Sequence, residues 1–401
     1  MMPSVEVCER ARASKDRRFD GLFFIAVKST GIYCRPVCPA PRVKSQNAIY
    51  FPTAAAAMTA GYRPCLRCRP ELAPEVRANG SEDALQRALA MIAEGSLEEE
   101  TIERLASQLQ LSSRHLRRLF LAHTGATPVV VNATRRLLLA KQLLTETKLP
   151  ITQIAFASGF KSIRRFNTAF RNSCRMTPTE LRLRASVRAE QRLQPDSQIC
   201  LRLAYRPPLN FQVMLRFLAD YAIPQVEHVT RNSYERRIDA DRWIRVTNNT
   251  DVAELQLQMP MIDPRLIPDI VQRVRRLFDL DADLDSAKEV LSQDPLLAEK
   301  IKKIGMLRVP GCWDGSEVLM HKSGLTLQKG QIHFRRGQLL DEFVDQLCNY
   351  GIAQSAAHYI AMRALNHPDA FPGIHPNSEQ WRPWRAYAWM LLQNSPQRHK
   401  H

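Results

Sequence analysis

Long apolar runs are missing from this sequence. No stretch of its 401 residues reaches the ~18 uninterrupted apolar residues that a membrane-spanning helix requires. Residues Met1 to Phe19 mix charges and contain no apolar run, so they lack the pattern of a secretory signal peptide. The sequence therefore predicts no contact with a membrane. Nine cysteines in a chain without an export signal predict a reducing, cytoplasmic setting.

Most of the nine cysteines have no neighbour at the spacing of a metal-ligand pair. We interpret five scattered ones as small buried or incidental residues: Cys8, Cys174, Cys200, Cys312 and Cys348. The other four form two close pairs, Cys34-x3-Cys38 and Cys65-x2-Cys68. Two pairs at this spacing can supply four thiolates to one tetrahedral zinc ion. The sequence therefore predicts a single zinc site made by all four of these cysteines.

Acidic residues are scarce in the first half of the chain. The formal net charge is +17, and residues 1–200 hold 31 Lys and Arg against 17 Asp and Glu, a balance of +14. Residues 201–401 hold 26 against 23, a balance of +3. The basic half is expected to meet a polyanion. Arginine and tyrosine residues also flank the cysteine pairs, which indicates a zinc site that faces a phosphate backbone.

The residues around the two cysteine pairs carry a family resemblance. They read Gly31-Ile-Tyr-Cys-Arg-Pro-Val-Cys38 and Arg63-Pro-Cys-Leu-Arg-Cys68. The segment from Asp20 to Pro70 resembles the methyl-acceptor domain of the Ada-type DNA alkylation repair proteins. This resemblance implies that Cys34 is a nucleophile as well as a zinc ligand. It would take a methyl group from a methylphosphotriester in DNA, while the other three cysteines remain spectator ligands. The resemblance also implies that Thr30 and Arg63 contact the DNA backbone.

Residues 81–190 have the apolar periodicity of helices. A helix that closes near Leu109 is followed by one that Ser112 can cap. The second helix of this unit carries an apolar stripe and, on its other side, the residues Ser113, Arg114, Arg117 and Arg118. This pattern predicts a helix-turn-helix with a basic recognition helix.

A long helix, from about Val129 to Thr145, leads into a second copy of this unit. Gly159 supplies its turn and Ser162 its cap. The side chains expected to face inward are Phe160, Ile163, Phe166 and Phe170, and those expected to meet DNA, with Ser162, are Arg164, Arg165 and Asn167. Two such units joined by one long helix resemble an AraC-type DNA-binding domain over roughly 83–185. The alternative is that each arginine face is merely solvated.

Residues 198–285 begin a different, α+β unit. Strands are expected around Leu201–Arg206, Trp243–Val246 and Ala253–Met259, and helices around Phe211–Tyr221 and Leu266–Leu277. The region resembles the N-terminal domain of the AlkA-type 3-methyladenine DNA glycosylases.

The remaining residues, 286–401, keep the resemblance over Leu307–Gly315 and depart from the glycosylase pattern after Gly315. Of the two glycines expected in the helix-hairpin-helix turn only Gly351 is present, and Ala353 stands at the second position. No aspartate follows Phe371-Pro372, where the family carries its catalytic acid, and Asp369 lies upstream of that point. The sequence therefore predicts that base excision is lost. The segment is then either an inert folded remnant or a degenerate segment with little stable structure. A role in base flipping without catalysis has no positive support in the sequence.

The expected architecture is a multidomain α+β protein. It comprises a small zinc-bound α/β domain (1–72), an all-α double helix-turn-helix domain (81–190), the α+β AlkA-like domain (198–285) and a truncated helical remnant (286–401). The expected function is irreversible methyl transfer from DNA methylphosphotriesters to Cys34, followed by activation of DNA repair genes. Double-stranded DNA and RNA polymerase are the expected partners of a chain that acts as a monomer.

Two other functions fit parts of the same pattern. One is a zinc-stapled transcription factor without methyl transfer, which needs the same four cysteines and the same helices. The other is a 3-methyladenine-type glycosylase with regulatory domains. Direct repair of O6-methylguanine is not expected, since the acceptor motif Pro-Cys-His-Arg-Val is absent.

Overall fold

Two compact units make up the chain. The computed structural model describes residues 2–41, 43–74, 84–93, 101–189, 198–323 and 339–394. The first unit comprises Met1–Glu75, Gly95–Pro207 and Ala219–Val271, and the second comprises Val76–Glu94, Pro208–Leu218 and Gln272–His401. None of the described helices is long and apolar enough to span a bilayer.

The zinc-ligand region is built on a small mixed sheet. Its elements are α1 (Val5–Ser14), β1 (Phe24–Val27), β2 (Ile32–Cys34), β3 (Ala48–Phe51), α2 (Ala54–Thr59) and β4 (Arg63–Pro64). The strand order is β3-β1-β2-β4, with β2 parallel to β4 and the other pairs antiparallel. Tyr33 pairs with Pro64 and accepts a hydrogen bond from the Cys65 amide at 3.0 Å. This register brings the two cysteine pairs together.

The helical region contains the two predicted helix-turn-helix units. The helix α3 (Ala84–Ala93) belongs to the second compact unit. The elements of the helical region are α4 (Ile102–Gln108), α5 (Ser113–Thr124), α6 (Pro128–Glu146), α7 (Ile151–Ala157), α8 (Ile163–Cys174) and α9 (Pro178–Ala189). The long helix α6 joins the two units, as predicted. Ser112 caps α5 by accepting a hydrogen bond from the His115 amide. In the second unit, Gly159 lies in the turn between α7 and α8 with φ +79°.

Two details of the second helix-turn-helix were predicted wrongly. Ser162 occupies the N-cap position of α8, but its side chain makes no capping hydrogen bond. Ile163 was expected inside and is 36% exposed, because it is the first residue of the helix and precedes the apolar stripe. Phe166 and Phe170 are fully buried and carry the packing of α8.

A five-stranded antiparallel sheet follows. Its elements are β5 (Gln198–Ala204), α10 (Phe211–Asp220), β6 (Glu227–Val229), β7 (Ser233–Arg237), β8 (Trp243–Asn249) and β9 (Glu254–Pro260). The strand order is β5-β9-β8-β7-β6. Alternate residues of β5 and β9 are buried, among them Leu201, Leu203, Leu255 and Leu257. The three predicted strands are confirmed, and β9 alternates between buried and partly buried residues.

The second unit is helical over its described residues. Its helices include α12 (Leu284–Leu291), α13 (Pro295–Ile304), α14 (Gly315–Ser323), α15 (Leu340–Asn349), α16 (Gln354–Ala364) and α17 (Arg385–Gln393), preceded by α11 (Ile267–Leu277). Phe343, Trp381 and Met390 are almost completely buried. Asp294, at the start of α13, accepts hydrogen bonds from the indole of Trp381 and the amide of Asn377, each at 3.0 Å. Residues 339–394 therefore have a packed core, which favours a folded remnant over a degenerate segment with little stable structure.

Candidate zinc centre and nucleic-acid interface

The four predicted ligands converge on one point. The Sγ atoms of Cys34, Cys38, Cys65 and Cys68 all lie within 4.8 Å of one another. A tetrahedral zinc ion with Zn–S bonds of about 2.3 Å requires sulfur atoms about 3.8 Å apart. The set therefore fits a closed tetrathiolate site. Among the described residues it is the one cluster of histidine, cysteine and carboxylate side chains with metal-site geometry.

The four sulfur atoms differ in access and in hydrogen bonding. Cys65 and Cys68 are each 7% exposed, whereas Cys34 and Cys38 are half-buried. Cys65 accepts a hydrogen bond from the Arg67 amide and Cys68 accepts one from the Arg35 amide, both at 3.3 Å.

Within the described part of the chain, no backbone amide donates to the Cys34 sulfur. An amide N–H withdraws electron density from the thiolate that accepts it. Cys34 and Cys38 therefore combine partial exposure with a sulfur that accepts no amide hydrogen bond from the described residues, unlike Cys65 and Cys68.

The thiols perturb one another's ionisation. The hydrogen bond with Cys38 raises the pKa of Cys34 above its usual value, and the same hydrogen bond lowers the pKa of Cys38 to about 7. Hydrogen bonds from Cys34 and Cys38 lower the pKa of Cys65. Zinc requires its cysteine ligands as thiolates.

A buried ion pair holds the loop between the ligand pairs. The Arg35 guanidinium binds both carboxylate oxygens of Asp20, at 2.9 Å for Nε and more closely for Nη2. Its Nη1 donates to the carbonyl oxygen of Cys68 at 3.1 Å. Both side chains are almost completely buried. Arg35 therefore fixes Cys68 through side chain and backbone, a role that the sequence indicated only by placing an arginine directly after Cys34.

The two residues predicted to contact the DNA backbone lie on neighbouring segments of the small sheet. Thr30 is exposed in the turn between β1 and β2, and Arg63 is half-buried in β4. The Arg63 amide donates to the carbonyl of Gly31 at 2.9 Å, which ties the two segments together. Both residues thus lie beside the strand that ends in Cys34, and their contacts with DNA stay a prediction.

The two recognition helices each present a polar, basic face. Arg114, Arg117 and Arg118 are exposed on α5, and Arg164, Arg165 and Asn167 are exposed on α8, whereas Ser113 and Ser162 are half-buried. Arg117 lies 3.6 Å from Glu103, and both side chains are more than half exposed. Such an exposed pair is weak and can be replaced by a phosphate contact. Exposed guanidinium groups near the start of each helix suit a DNA groove.

A tetrathiolate zinc site and two helix-turn-helix units with basic faces define a zinc-dependent regulator that binds DNA. Three family models match the chain: the metal-binding domain of Ada at residues 7–71, a helix-turn-helix domain at 105–184, and the AlkA N-terminal domain at 200–314. A probable bifunctional transcriptional activator/DNA repair enzyme AlkA of Mycobacterium tuberculosis is 32% identical over 98% of both chains. This chain therefore belongs to the family of bifunctional transcriptional activators and DNA repair enzymes of the Ada and AlkA type, and it binds zinc.

Two further relatives cover only the first part of the chain. The bifunctional transcriptional activator/DNA repair enzyme Ada of Escherichia coli is 41% identical over 29% of this chain and 31% of its own length. A crystal structure of the methylated N-ADA/DNA complex is 36% identical over 33% of this chain and 98% of its own, with a TM-score of 0.17. The alignment with the mycobacterial relative spans 484 positions, more than the 401 residues here, so that relative carries segments that this chain lacks.

Proposed function

We propose that the chain is a single-turnover acceptor of methyl groups from DNA methylphosphotriesters and that Cys34 is the accepting residue. The observation that carries this proposal is the difference among the four ligands. Cys34 is partly exposed and its sulfur accepts no amide hydrogen bond from the described residues, while Cys65 and Cys68 are almost completely buried and each accepts one. The sulfur proposed as the nucleophile is therefore one that DNA can reach.

The chemistry follows from the thiolate. Zinc, when bound, keeps the four sulfurs ionised near neutral pH. The Cys34 sulfur attacks the methyl carbon of a neutral phosphotriester in line with the carbon–oxygen bond. A sulfur–carbon bond forms, the carbon–oxygen bond breaks, and its electron pair stays on the phosphate oxygen, which regains its negative charge. Cys34 remains as a thioether that does not return the methyl group, so each chain acts once.

Thr30 and Arg63 would orient the triester during this step. Arg63 offers a charged donor to a neighbouring phosphate, and Thr30 offers a hydroxyl at the exposed turn. The exposed basic residues of α5 and α8 would hold the same chain on duplex DNA, with the two helices in successive segments of the major groove. A chain held at a promoter after methylation would recruit RNA polymerase and activate transcription.

The single-turnover property has a direct test in the zinc-loaded full-length chain. We expect label from radioactive methylphosphotriester DNA to plateau at one methyl group per chain, however large the excess of DNA. The variant Cys348→Ser, which replaces a half-buried cysteine outside the ligand set, should reach the same plateau. Continued turnover, or no label on zinc-loaded protein, would contradict the proposal; the second result would leave a zinc-stapled transcription factor.

We also propose that base excision is lost. The segment after Phe371-Pro372 reads Gly373-Ile-His-Pro-Asn377 and offers no carboxylate. Asp369 is buried, and its oxygens are held by Arg385 at 2.8 and 3.0 Å and by Arg382 at 3.3 Å. A carboxylate neutralised by two guanidinium groups is a poor electrostatic partner for a cationic sugar.

The turn of the helix-hairpin-helix is also altered. Gly351 keeps the positive φ of +81° that the turn between α15 and α16 requires. Ala353, at the start of α16, is exposed, so its methyl group stands where a phosphate would approach the backbone. The hairpin thus keeps its turn geometry, but the methyl group of Ala353 restricts the approach of a DNA phosphate to its backbone.

Duplex DNA containing 3-methyladenine tests this second proposal. We expect no abasic sites above the protein-free background after alkaline cleavage, and depurinated DNA serves as the positive control. Cleavage that increases with protein concentration would contradict the loss of excision. If the variant Asp369→Asn abolished that cleavage, Asp369 would be the acid that replaces the missing one.

A further inference from the structure

We propose that the five-stranded AlkA-like sheet helps to pass the methylation of Cys34 on to the helix-turn-helix units. Its first strand, β5, takes part in a buried ion cluster between the long helix α6 and residues 69–72, which directly follow Cys68 and are here called the zinc loop. The cluster, here called the ion junction, consists of Arg69, Glu71, Lys141, Glu146 and Arg202. In this proposal the sheet contributes to the response to methylation rather than to base excision. The proposal rests on the proposed methyl transfer to Cys34.

The ion junction joins three segments that are far apart in the sequence. Lys141 of α6 binds Glu71 of the zinc loop at 2.5 Å. Arg69 binds Glu71 and also Glu146 of α6, each at 2.9 Å. Arg202 of β5 donates to the same Glu146 oxygen at 2.7 Å through Nε, and its amide donates to the other oxygen at 3.2 Å.

The centre of the junction is shielded from water, whereas the side chains of Arg69 and Arg202 at its edge are 14% and 23% exposed. The side chains of Glu71 and Lys141 are 0% and 1% exposed, and that of Glu146 is 5% exposed. Charges in such surroundings are tolerated only when each has its partner in place. The removal of one charged side chain therefore forces the others to rearrange, and this makes the ion junction sensitive to small displacements.

One covalent step separates the junction from a zinc ligand. Arg69 follows Cys68 directly and adopts a left-handed backbone conformation with φ 55°, so its side chain direction is set by the position of Cys68. The segment that follows β5 also contacts the Asp20–Arg35 ion pair, which binds Cys68, since the Arg206 side chain donates to the carbonyl oxygen of Asp20 at 3.4 Å. A shift of Cys68 after methylation thus reaches residues of both α6 and β5.

The same zinc region contacts the ends of both recognition helices. Thr53 donates from its hydroxyl to the carbonyl of Thr124 at the end of α5, at 2.6 Å. Arg175, the C-cap of α8, donates to the carbonyl of Gly61 at 2.9 Å. Because α6 connects the two helix-turn-helix units, a movement passed through the ion junction changes how the recognition helices are held.

The variant Arg202→Met tests the coupling in the zinc-loaded full-length chain. This substitution removes the guanidinium group that the sheet contributes to the ion junction and keeps an unbranched side chain that is apolar. Arg245→Met is the matched control, because Arg245 lies in the same sheet and its side chain, which pairs with Glu235, is 57% exposed. The affinity for one duplex is measured before and after stoichiometric methylation of each protein. We expect the ratio of the two affinities to fall about tenfold in Arg202→Met and to stay unchanged in Arg245→Met.

Three readouts separate the coupling from other effects. A wild-type chain that fails to accept the methyl group overturns the proposed function, whereas an Arg202→Met ratio equal to wild type overturns only the coupling. Hydrogen exchange should rise at residues 69–72 and 141–146 in Arg202→Met, with exchange in β8 unchanged. If that variant does not fold, Arg202→Lys provides the same comparison, since a lysine keeps the charge but cannot reproduce the guanidinium contacts.

Discussion

Methylation of Cys34 is expected to raise the affinity of the full-length chain for duplex DNA about 30-fold at low salt. Transfer converts a thiolate into a neutral thioether, so the site loses one negative charge while DNA regains one on the repaired phosphate. A unit charge about 6 Å from a phosphate, at an effective dielectric of roughly 20 to 40, repels it by about 1 to 3 kcal/mol. Removal of that repulsion corresponds to an affinity gain of about tenfold to a hundredfold.

The salt dependence of binding identifies the origin of this gain. Electrostatic repulsion is screened, so the ratio of affinities should shrink as salt rises from about 0.05 to 0.5 M. Fluorescence anisotropy with one labelled duplex, before and after methylation, gives both values. Chains treated with unmethylated DNA are the control. A ratio near one at low salt would mean that the charge of the zinc site does not govern DNA affinity.

Replacement of Lys141 by methionine is expected to lower the free energy of unfolding by about 3 kcal/mol. Burial by itself raises the pKa of Glu71, but the charges of Lys141 and Arg69 outweigh that effect and hold the pKa below its usual value. Glu71 is therefore ionised within the protein. Without Lys141 it would keep only Arg69 as a charged partner in a region closed to water.

Denaturant unfolding followed by circular dichroism measures this cost. The matched control is Lys44→Met, an identical change at an exposed position of the first unit, which should alter the free energy by less than about 0.5 kcal/mol. The double variant Lys141→Met with Glu71→Leu should recover part of the loss, because no uncompensated carboxylate then remains. A loss as small as that of the control would show that water enters the ion junction.

Local patterns in the sequence predicted the zinc ligands and the helix-turn-helix units. The four cysteines lie in two close pairs, and the apolar stripes of α5 and α8 recur at helical spacing, so each signal is contained within about 35 residues or fewer. The strands β5, β8 and β9 were also predicted from short segments of sequence, and the two-residue alternation of β9 is visible in such a segment.

The contacts that connect these parts could not be predicted from such patterns. The partners Glu71 and Lys141 are 70 residues apart, and Arg69 and Glu146 are 77 apart. A lysine in a helix is normally solvated, so nothing local marks Lys141 as buried. The ion pair between Asp20 and Arg35 could not be predicted, because the aspartate belongs to a turn that has no sequence motif of its own. Ile163 was misplaced because periodicity fixes the phase of a helix better than its first residue.

The most direct test of the account is the position of the methyl group after the zinc-loaded chain reacts with DNA carrying a single methylphosphotriester. Proteolysis and peptide mass spectrometry assign it to one cysteine. We expect one added methyl group on Cys34 and none on Cys38, Cys65 or Cys68, with no transfer in Cys34→Ser. A methyl group on Cys38, the other half-buried ligand, would show that access alone selects the nucleophile. An unmodified Cys34 in a chain that still binds zinc would contradict the acceptor role.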